Sequence, residues 1–469
     1  MIFFTAENAE SAEKEKNGVK MALKEAIRTY HDLLTDELAA ESQGQLDDQM
    51  EQRGLFFGTR PLCTVLRPRF LTPEQYIFVR KSIRPLLRAF EKISELAVED
   101  AEFCAQFGLL DWEEELIQHE PKYKGHTPLT RLDAFYVTEN SELKFTEYNA
   151  EVPAASAYND VLNEVFYGLP VMGEFLRHYA VRPLPTRHSV LHVLLDAYRQ
   201  AGGSGRPQIG ILDWHDVPTR SEFELFTQYF ASQGFDAKIV DPREVTYENG
   251  SLHHEGFQID VIYKRVLITE LIERGGLDQP VVRAVRDGSV CMVNPFRCKI
   301  LYKKMSLAVL SDERNAHLFD KDETAVIHNH IPWTRTVEER KTVYGGLPID
   351  LIPFMHKYKD QLVLKPNDDY GGHGIVLGWQ TNASGWEQAV QQALTEPYIV
   401  QERVVIPEEP YPSIVDGRLQ IYARMLDTAP FIFHGDYVDG CLTRLSTDPL
   451  LNVSAGGGST VPTFVVEKR

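Results

Sequence analysis

The 469-residue sequence predicts a mixed α/β (α+β) fold, too long for one ordinary core and so divided into about two to four domains. Three observations carry this reading. Helical spacing dominates the first hundred or so residues. Buried strands alternate with helices between about 208 and 265. Near 362–376, a strand ending in lysine runs into a glycine-rich turn and then a second strand.

Taken in order, residues 17–52 are rich in Ala, Leu, Glu and Lys at helical spacing, as in Met21-Ala22-Leu23-Lys24-Glu25-Ala26-Ile27, and predict outer helices. A second helical block spans 73–107. Thr72 is its expected N-cap, and Pro73 takes the first helical position, where its missing N–H costs nothing. Next, 132–137 and 143–149 alternate in polarity around Glu139-Asn140-Ser141, predicting a β-hairpin, with a helix over 157–167 behind it. Gly202-Gly203-Ser204-Gly205-Arg206-Pro207 reads as a linker. After it come strands at 208–214, 237–241 and 259–265, with an amphipathic helix over 222–233. That alternation predicts a small parallel α/β unit. From about 293 onward the chain is mixed α+β.

Composition narrows the function. The chain is 43% hydrophobic and 25% charged, as expected of a soluble globular protein. Its net charge of −19 argues against general nucleic-acid or anionic-membrane binding, though not against a local basic cleft. The five cysteines, Cys63, Cys104, Cys291, Cys298 and Cys441, contain no Cys-x-x-Cys pair and read as free thiols. No segment reaches membrane-spanning length and the first residues lack a secretory pattern, so a cytoplasmic location is expected.

The most informative stretch is Leu362-Val363-Leu364-Lys365-Pro366-Asn367-Asp368-Asp369-Tyr370-Gly371-Gly372-His373-Gly374. Pro366 ends an apolar strand, and the glycines let the backbone close tightly on a ligand. Lys365 would meet a phosphate whose oxygens are covered by the amides of Gly371, Gly372 and Gly374. A short strand follows at 398–402. Its Gln401 and Glu402, with the backbone of 400–404, would meet adenine and ribose. The loop is neither a P-loop nor a dinucleotide fingerprint, because it joins strand to strand and no Gly-x-x-x-x-Gly-Lys-Ser/Thr occurs.

Other candidates follow from the strand repeat. Glu147 and Asn149 are two apart and share a face, which Asp133 on the partner strand can reach. Two carboxylates and an amide oxygen suit Mg²⁺. Arg131 shares that face and can meet phosphate oxygens. A solvated strand face carrying ordinary charges is the competing reading. Lys304, immediately before an apolar helical run, is preferred to Lys303 as a second phosphate contact, against a plain exposed lysine pair. Arg418 and Arg424, six apart on one strand, could stabilise a transferring phosphoryl group, or simply form surface ion pairs. Arg444 precedes the glycine loop at 452–458. Arg265 ends a strand of the α/β unit and reads equally as a carboxylate ligand or a structural ion pair. His328 and His330 lack a third metal ligand and read as structural.

These motifs resemble the circularly permuted ATP-grasp proteins, specifically the synthetase half of glutathionylspermidine synthetase. The order carries the resemblance: Arg131-x-Asp133 and Glu147-x-Asn149 come first, then Asn149-Ala150-Glu151-x-Pro153, with Lys304 and Lys365 last. It covers residue 131 to the C-terminus. With the helical spacing read above, it divides the chain into an N-terminal helical segment over 1–60 and a helical part with a metal-binding hairpin over 61–200. A pre-ATP-grasp-like α/β domain over 201–292 and a nucleotide-binding part over 293–469 complete it. It also implies ATP and Mg²⁺, a small-molecule or peptide carboxylate and an amine as substrates, and an amide formed through an acylphosphate. No Cys/His amidase half is present and no amine-binding residues can be matched, so the spermidine reaction itself is not implied. The alternatives are an ATP-grasp phosphotransferase and a non-catalytic nucleotide-binding scaffold.

Overall fold

The computed structural model of the chain describes residues 6–369, 372–449 and 458–469, so Gly371 and most of the glycine loop at 452–458 lie outside the described residues. The N-terminal helices Ala6–Leu33 and Asp36–Gln52 are amphipathic and pack into the main core through Leu23, Ala26, Tyr30, Leu46 and Met50. Helix Pro73–Glu99 starts where the sequence places it. Thr72 and Gln75 form a reciprocal capping box that satisfies two N–H groups left over at the helix start. Val79, Ile83, Leu86, Phe90 and Ile93 then bury one stripe against a second core.

Three sheets position the site. The largest among the described residues has nine strands. One edge is the predicted hairpin, Leu129–Val137 and Glu142–Asn149. Asp133 lies opposite Glu147, and Arg131 opposite Asn149, so the four share a face. The pairing then shifts from Asp133/Glu147 to Ala134/Phe145, leaving Thr146 as the extra residue of a bulge. Strand Ala429–Phe433 pairs with the hairpin and with Tyr437–Ser446. Strand Ser459–Lys468 ties Tyr437–Ser446 to Arg69–Leu71 and Tyr179–Pro183.

The second sheet is wholly parallel, in the spatial order Cys291–Val293, Val261–Lys264, Ile209–Leu212, Ala237–Val240. Its strands are almost continuously apolar because helices cover them. Between its strands the structure inserts a three-stranded meander, Thr246–Glu248, Ser251–His254 and Phe257–Ile259, which the sequence reading passes over. The signal was present: Asn249-Gly250 has positive φ at both residues, as a two-residue hairpin turn requires. At the carboxyl end of this sheet, Asn294 bonds the Leu129 N–H and carbonyl as well as the Ala150 and Glu151 carbonyls, clamping both ends of the hairpin.

The third sheet is antiparallel, in the order Thr334–Thr336, Tyr398–Glu402, Leu362–Pro366, Val376–Leu377. It faces the hairpin across a cleft, with the corner between helices Cys298–Tyr302 and Met305–Ser311 at one end.

Candidate functional site

The cleft gathers residues from distant parts of the chain. Asp133 and Glu147 come from the hairpin, Lys304 from the helix corner, Lys365 from the antiparallel sheet, and Arg444 from strand Tyr437–Ser446. Gln401, Glu402 and Gly372 also line it.

Arg131 does not line the cleft. It grips Asp133 with two parallel bonds, Nε to Oδ1 at 2.7 Å and Nη2 to Oδ2 at 3.0 Å. Arg444 donates to the same Oδ2 at 2.6 Å. Asp427 holds Arg444 in turn, accepting from its Nε at 2.5 Å and its backbone N–H at 2.6 Å. Burial would raise the Asp133 carboxyl, but the two guanidinium groups outweigh it and hold it down at about 2. Burial dominates at Asp427, aided by the Asp133 charge, and its carboxyl is raised despite Arg444.

Lys304 Nζ lies 3.1 Å from Glu147 Oε1 and donates to the Asp369 carbonyl at 2.5 Å. It therefore joins the hairpin to the stem of the glycine turn. Burial works against the Glu147 charge, yet Lys304 keeps the carboxyl below its ordinary value, with help from Lys365 and Arg444. Lys303 points elsewhere, to Glu113 and Asp368, both at 2.7 Å. Lys365 donates to Gln401 Oε1 at 2.8 Å and to the Thr146 carbonyl at 3.1 Å, the bulge turning that carbonyl toward it. Burial lowers its ammonium to about 8, offset in part by Glu147 and reinforced by Lys304. Gln401 passes the contact on to Thr334 Oγ1 at 3.0 Å. Glu402 accepts from the Tyr344 hydroxyl at 3.0 Å.

Opposite these charges the cleft is apolar, lined by Val363, Ile375, Leu377, Trp379, Val404 and Ile406. Arg403 packs its guanidinium on the Trp379 ring, 4.1 Å from the centroid, which fixes that wall. Such a cleft, apolar on one side and charged on the other, suits a ligand with a flat apolar part and an anionic tail. Gly374, at φ +67°, folds the turn back onto the strand end, where a Cβ would meet Pro366 Cγ at 3.0 Å.

Asn149 does not line the cleft, although it shares the face of Glu147. Its Nδ2 is buried without a partner. The two orientations of an amide are nearly isosteric, so its oxygen can take that place. Asp133 and Glu147, both held as carboxylates beside this amide, form an all-oxygen donor set that fits Mg²⁺. No group of three or more His, Cys, Asp or Glu side chains poised for a metal occurs among the described residues.

Arg418 and Arg424 lie away from the cleft, and the reading that aims them at a phosphoryl group is corrected. They do share a strand, Arg418–Leu426, but that strand forms a long hairpin with Glu408–Val415. Only Met425 and Leu426 reach the main sheet. Arg418 is exposed near the hairpin tip, and Arg424 sits over Tyr422, 5.8 Å from the ring centroid. Arg444 is the arginine in the cleft. Asp427 is absent from the sequence reading because no local motif marks it. Arg265 forms a buried pair with Glu222 at 3.0 Å, and His330 bonds the Leu143 carbonyl at 2.9 Å. All five cysteines are buried and unpaired, and no helix among the described residues is long and apolar enough to cross a membrane.

No family model matches the chain. It is similar to a protein of Frankia alni provisionally named glutamate–cysteine ligase 2-3, with 22% identity over 95% of this chain and 52% of the relative. A second relative, from Frankia casuarinae and provisionally named glutamate–cysteine ligase 2-2, is 23% identical over 89% of this chain and 49% of its own. The chain thus spans about half the length of the curated relatives it matches. Among solved structures, a glutathione synthetase-like effector from Globodera pallida, in its apoform, matches 93% of this chain and 95% of its own. The TM-score is 0.58 and the identity 12%. That likeness shows the fold, which is glutathione synthetase-like and agrees with the ATP-grasp-like architecture the sequence predicts.

Proposed function

We propose that this chain is an ATP-dependent carboxylate–amine ligase that activates its acid as an acylphosphate and joins it to an amine. One observation carries the reading. Two ionised carboxylates, two lysines and an arginine from separate parts of the chain converge on one cleft with an apolar opposite wall.

In this reading the apolar wall takes adenine, and Gln401 and Glu402 meet adenine and ribose. Lys304 and Lys365 hold phosphate oxygens, beside Gly372 and Gly374 of the turn. Asp133, Glu147 and Asn149 hold Mg²⁺, which when bound neutralises phosphate charge. Arg444 faces the developing charge of the transferring phosphoryl group, and Arg131 keeps Asp133 ionised and aimed. The acid's carboxylate oxygen attacks the terminal phosphorus and ADP leaves. The amine then attacks the acyl carbon and phosphate leaves. Little covalent chemistry falls to the protein, so positioning and charge stabilisation do the catalysis.

The fold supports this reading, as do the provisional names of the two Frankia relatives, which place an acid and an amine together. The order of the site along the chain, carboxylates before lysines, supports the circularly permuted arrangement as part of the same proposal. The test is phosphate release from ATP and Mg²⁺ across a panel of acids paired with amines, glutamate and cysteine among them, with amide formation followed by mass spectrometry. Release that depends on both partners and disappears in Glu147→Gln is expected. Absence of Mg·ATP binding by calorimetry would remove the reading altogether.

A further inference from the structure

Beside the cleft lies a buried cluster of charge that the proposed chemistry does not use. Lys264, Lys299 and Lys303 are each 2% exposed or less, as are Glu113 and Glu151. Lys264 meets Glu151 at 3.4 Å. Lys299 meets Glu113 at 3.4 Å and Glu151 at 3.5 Å, and Lys303 meets Glu113 at 2.7 Å. Three ammonium groups thus face two carboxylates fixed on other elements. Unbalanced buried charge is strongly unfavourable, so the cluster requires one more anion.

Asp368 supplies it. Its Oδ1 accepts from Lys299 at 3.0 Å and its Oδ2 from Lys303 at 2.7 Å, with Thr269 Oγ1 at 3.4 Å. Asp368 belongs to the stem of the glycine turn, just after the Lys365 strand. Its neighbours are tied to the same corner. Asn367 accepts from the backbone N–H of Lys304 at 3.0 Å and of Met305 at 2.9 Å, and the Asp369 carbonyl takes the Lys304 ammonium. Three consecutive stem residues are therefore bonded to residues 299–305. Asp368 brings the charge that balances the buried lysines. Its charge also reaches further, because Lys264 ends a strand of the parallel sheet and Glu151 follows the hairpin.

We infer that Asp368 is a positioning residue for nucleotide binding, locking the stem of the glycine turn onto the Lys299–Lys303 pair so that the turn meets the phosphates. This rests on the nucleotide-site reading above. Asp368 touches neither nucleotide nor acid and acts through the backbone that carries it. Its loss should weaken binding of the phosphate tail and spare the base.

Calorimetry with Mg·ATP and with AMP tests this on the wild type, Asp368→Asn, Lys303→Met and the double variant. The double variant keeps the cluster's charge balanced while removing the Asp368–Lys303 bond and the Asp368 charge, so it serves if either single variant fails to fold. Each variant is expected to bind Mg·ATP about tenfold more weakly, the order of one charge-assisted hydrogen bond. AMP affinity should stay within about twofold, and the double should be no worse than the weaker single, because both changes break the Asp368–Lys303 bond. Three results would overturn the inference: Mg·ATP binding within about twofold of wild type in the folded variants, equal weakening of ATP and AMP, or additive losses in the double. A wild type that fails to bind Mg·ATP would remove the nucleotide reading, and the inference with it. A wild type that binds, with variants that bind equally well, would remove the inference alone.

Discussion

Replacing Lys365 by Met should make the metal-free protein more stable and at the same time abolish tight ATP binding. The ammonium is partly buried and held at about 8, against an ordinary value of 10.5. Holding it charged costs the folded state about 3 kcal/mol at pH 7. Its two hydrogen bonds, to Gln401 and the Thr146 carbonyl, return about 1 kcal/mol each. Met fills similar space without charge, so a net gain of about 1 kcal/mol is expected. The sign depends on pH. Below about 8 the amine is protonated in both folded and unfolded chains, and the full cost is present. Between about 8 and 10.5 the folded chain loses its proton first, so the unfolded chain binds more protons and wild-type stability rises with pH. The Met variant lacks that rise, and its advantage should shrink or reverse by pH 9.5. Urea denaturation of both proteins at pH 7 and 9.5, with a chelator present, measures this. Calorimetry with Mg·ATP at pH 7 measures the functional loss. A variant less stable than wild type at pH 7, by the same margin at pH 9.5, would refute the argument. So would unchanged ATP affinity.

Glu147→Gln and Asn149→Ala should each lower single-turnover phosphate release by about 10²-fold or more, while melting near the wild-type temperature; near-normal rates in both would refute the metal-site assignment. Asp133→Asn leaves Arg131 and Arg444 facing an uncharged partner, and a loss of about 3–5 kcal/mol is expected in denaturant titrations. The Asp133 carboxyl, depressed to about 2 from 3.8, contributes stability that is present above about pH 4 and lost as the pH falls through about 2. An Asn variant whose acid unfolding curve matches the wild type would contradict this. Arg418→Ala and Arg424→Ala should leave ATP affinity and turnover within about twofold of wild type, since neither side chain lines the cleft; a large loss in either would reinstate the pair as part of the site.

What the sequence makes legible is local. Thr72-Pro73 announces a helix start because capping and a fixed φ act within a few residues. The hairpin and the parallel strands show themselves by polarity patterns of similar reach. The two-residue strand repeat also places Asp133 and Glu147 on one face, where the structure finds them directly opposite. The same rule misleads for Arg418 and Arg424. They share a strand as expected, but nothing local records that only the last two residues of this strand pair with the main sheet. Asp427 and the Asp368 tether are illegible for the same reason. Each exists only because segments far apart in the chain come together.

The pairing of Arg131 with Phe431 carries a consequence for how this protein comes to exist. The two residues are about 300 positions apart, and closing so long a loop is slow because its entropy is lost before any contact repays it. Until strand Ala429–Phe433 is made, the hairpin presents an open row of backbone donors and acceptors. A ribosome adds about 5–20 residues per second, so that edge stands uncovered for tens of seconds during each synthesis. The strand that later carries Asp133 is thus, early in the molecule's life, an unpaired edge open to other chains.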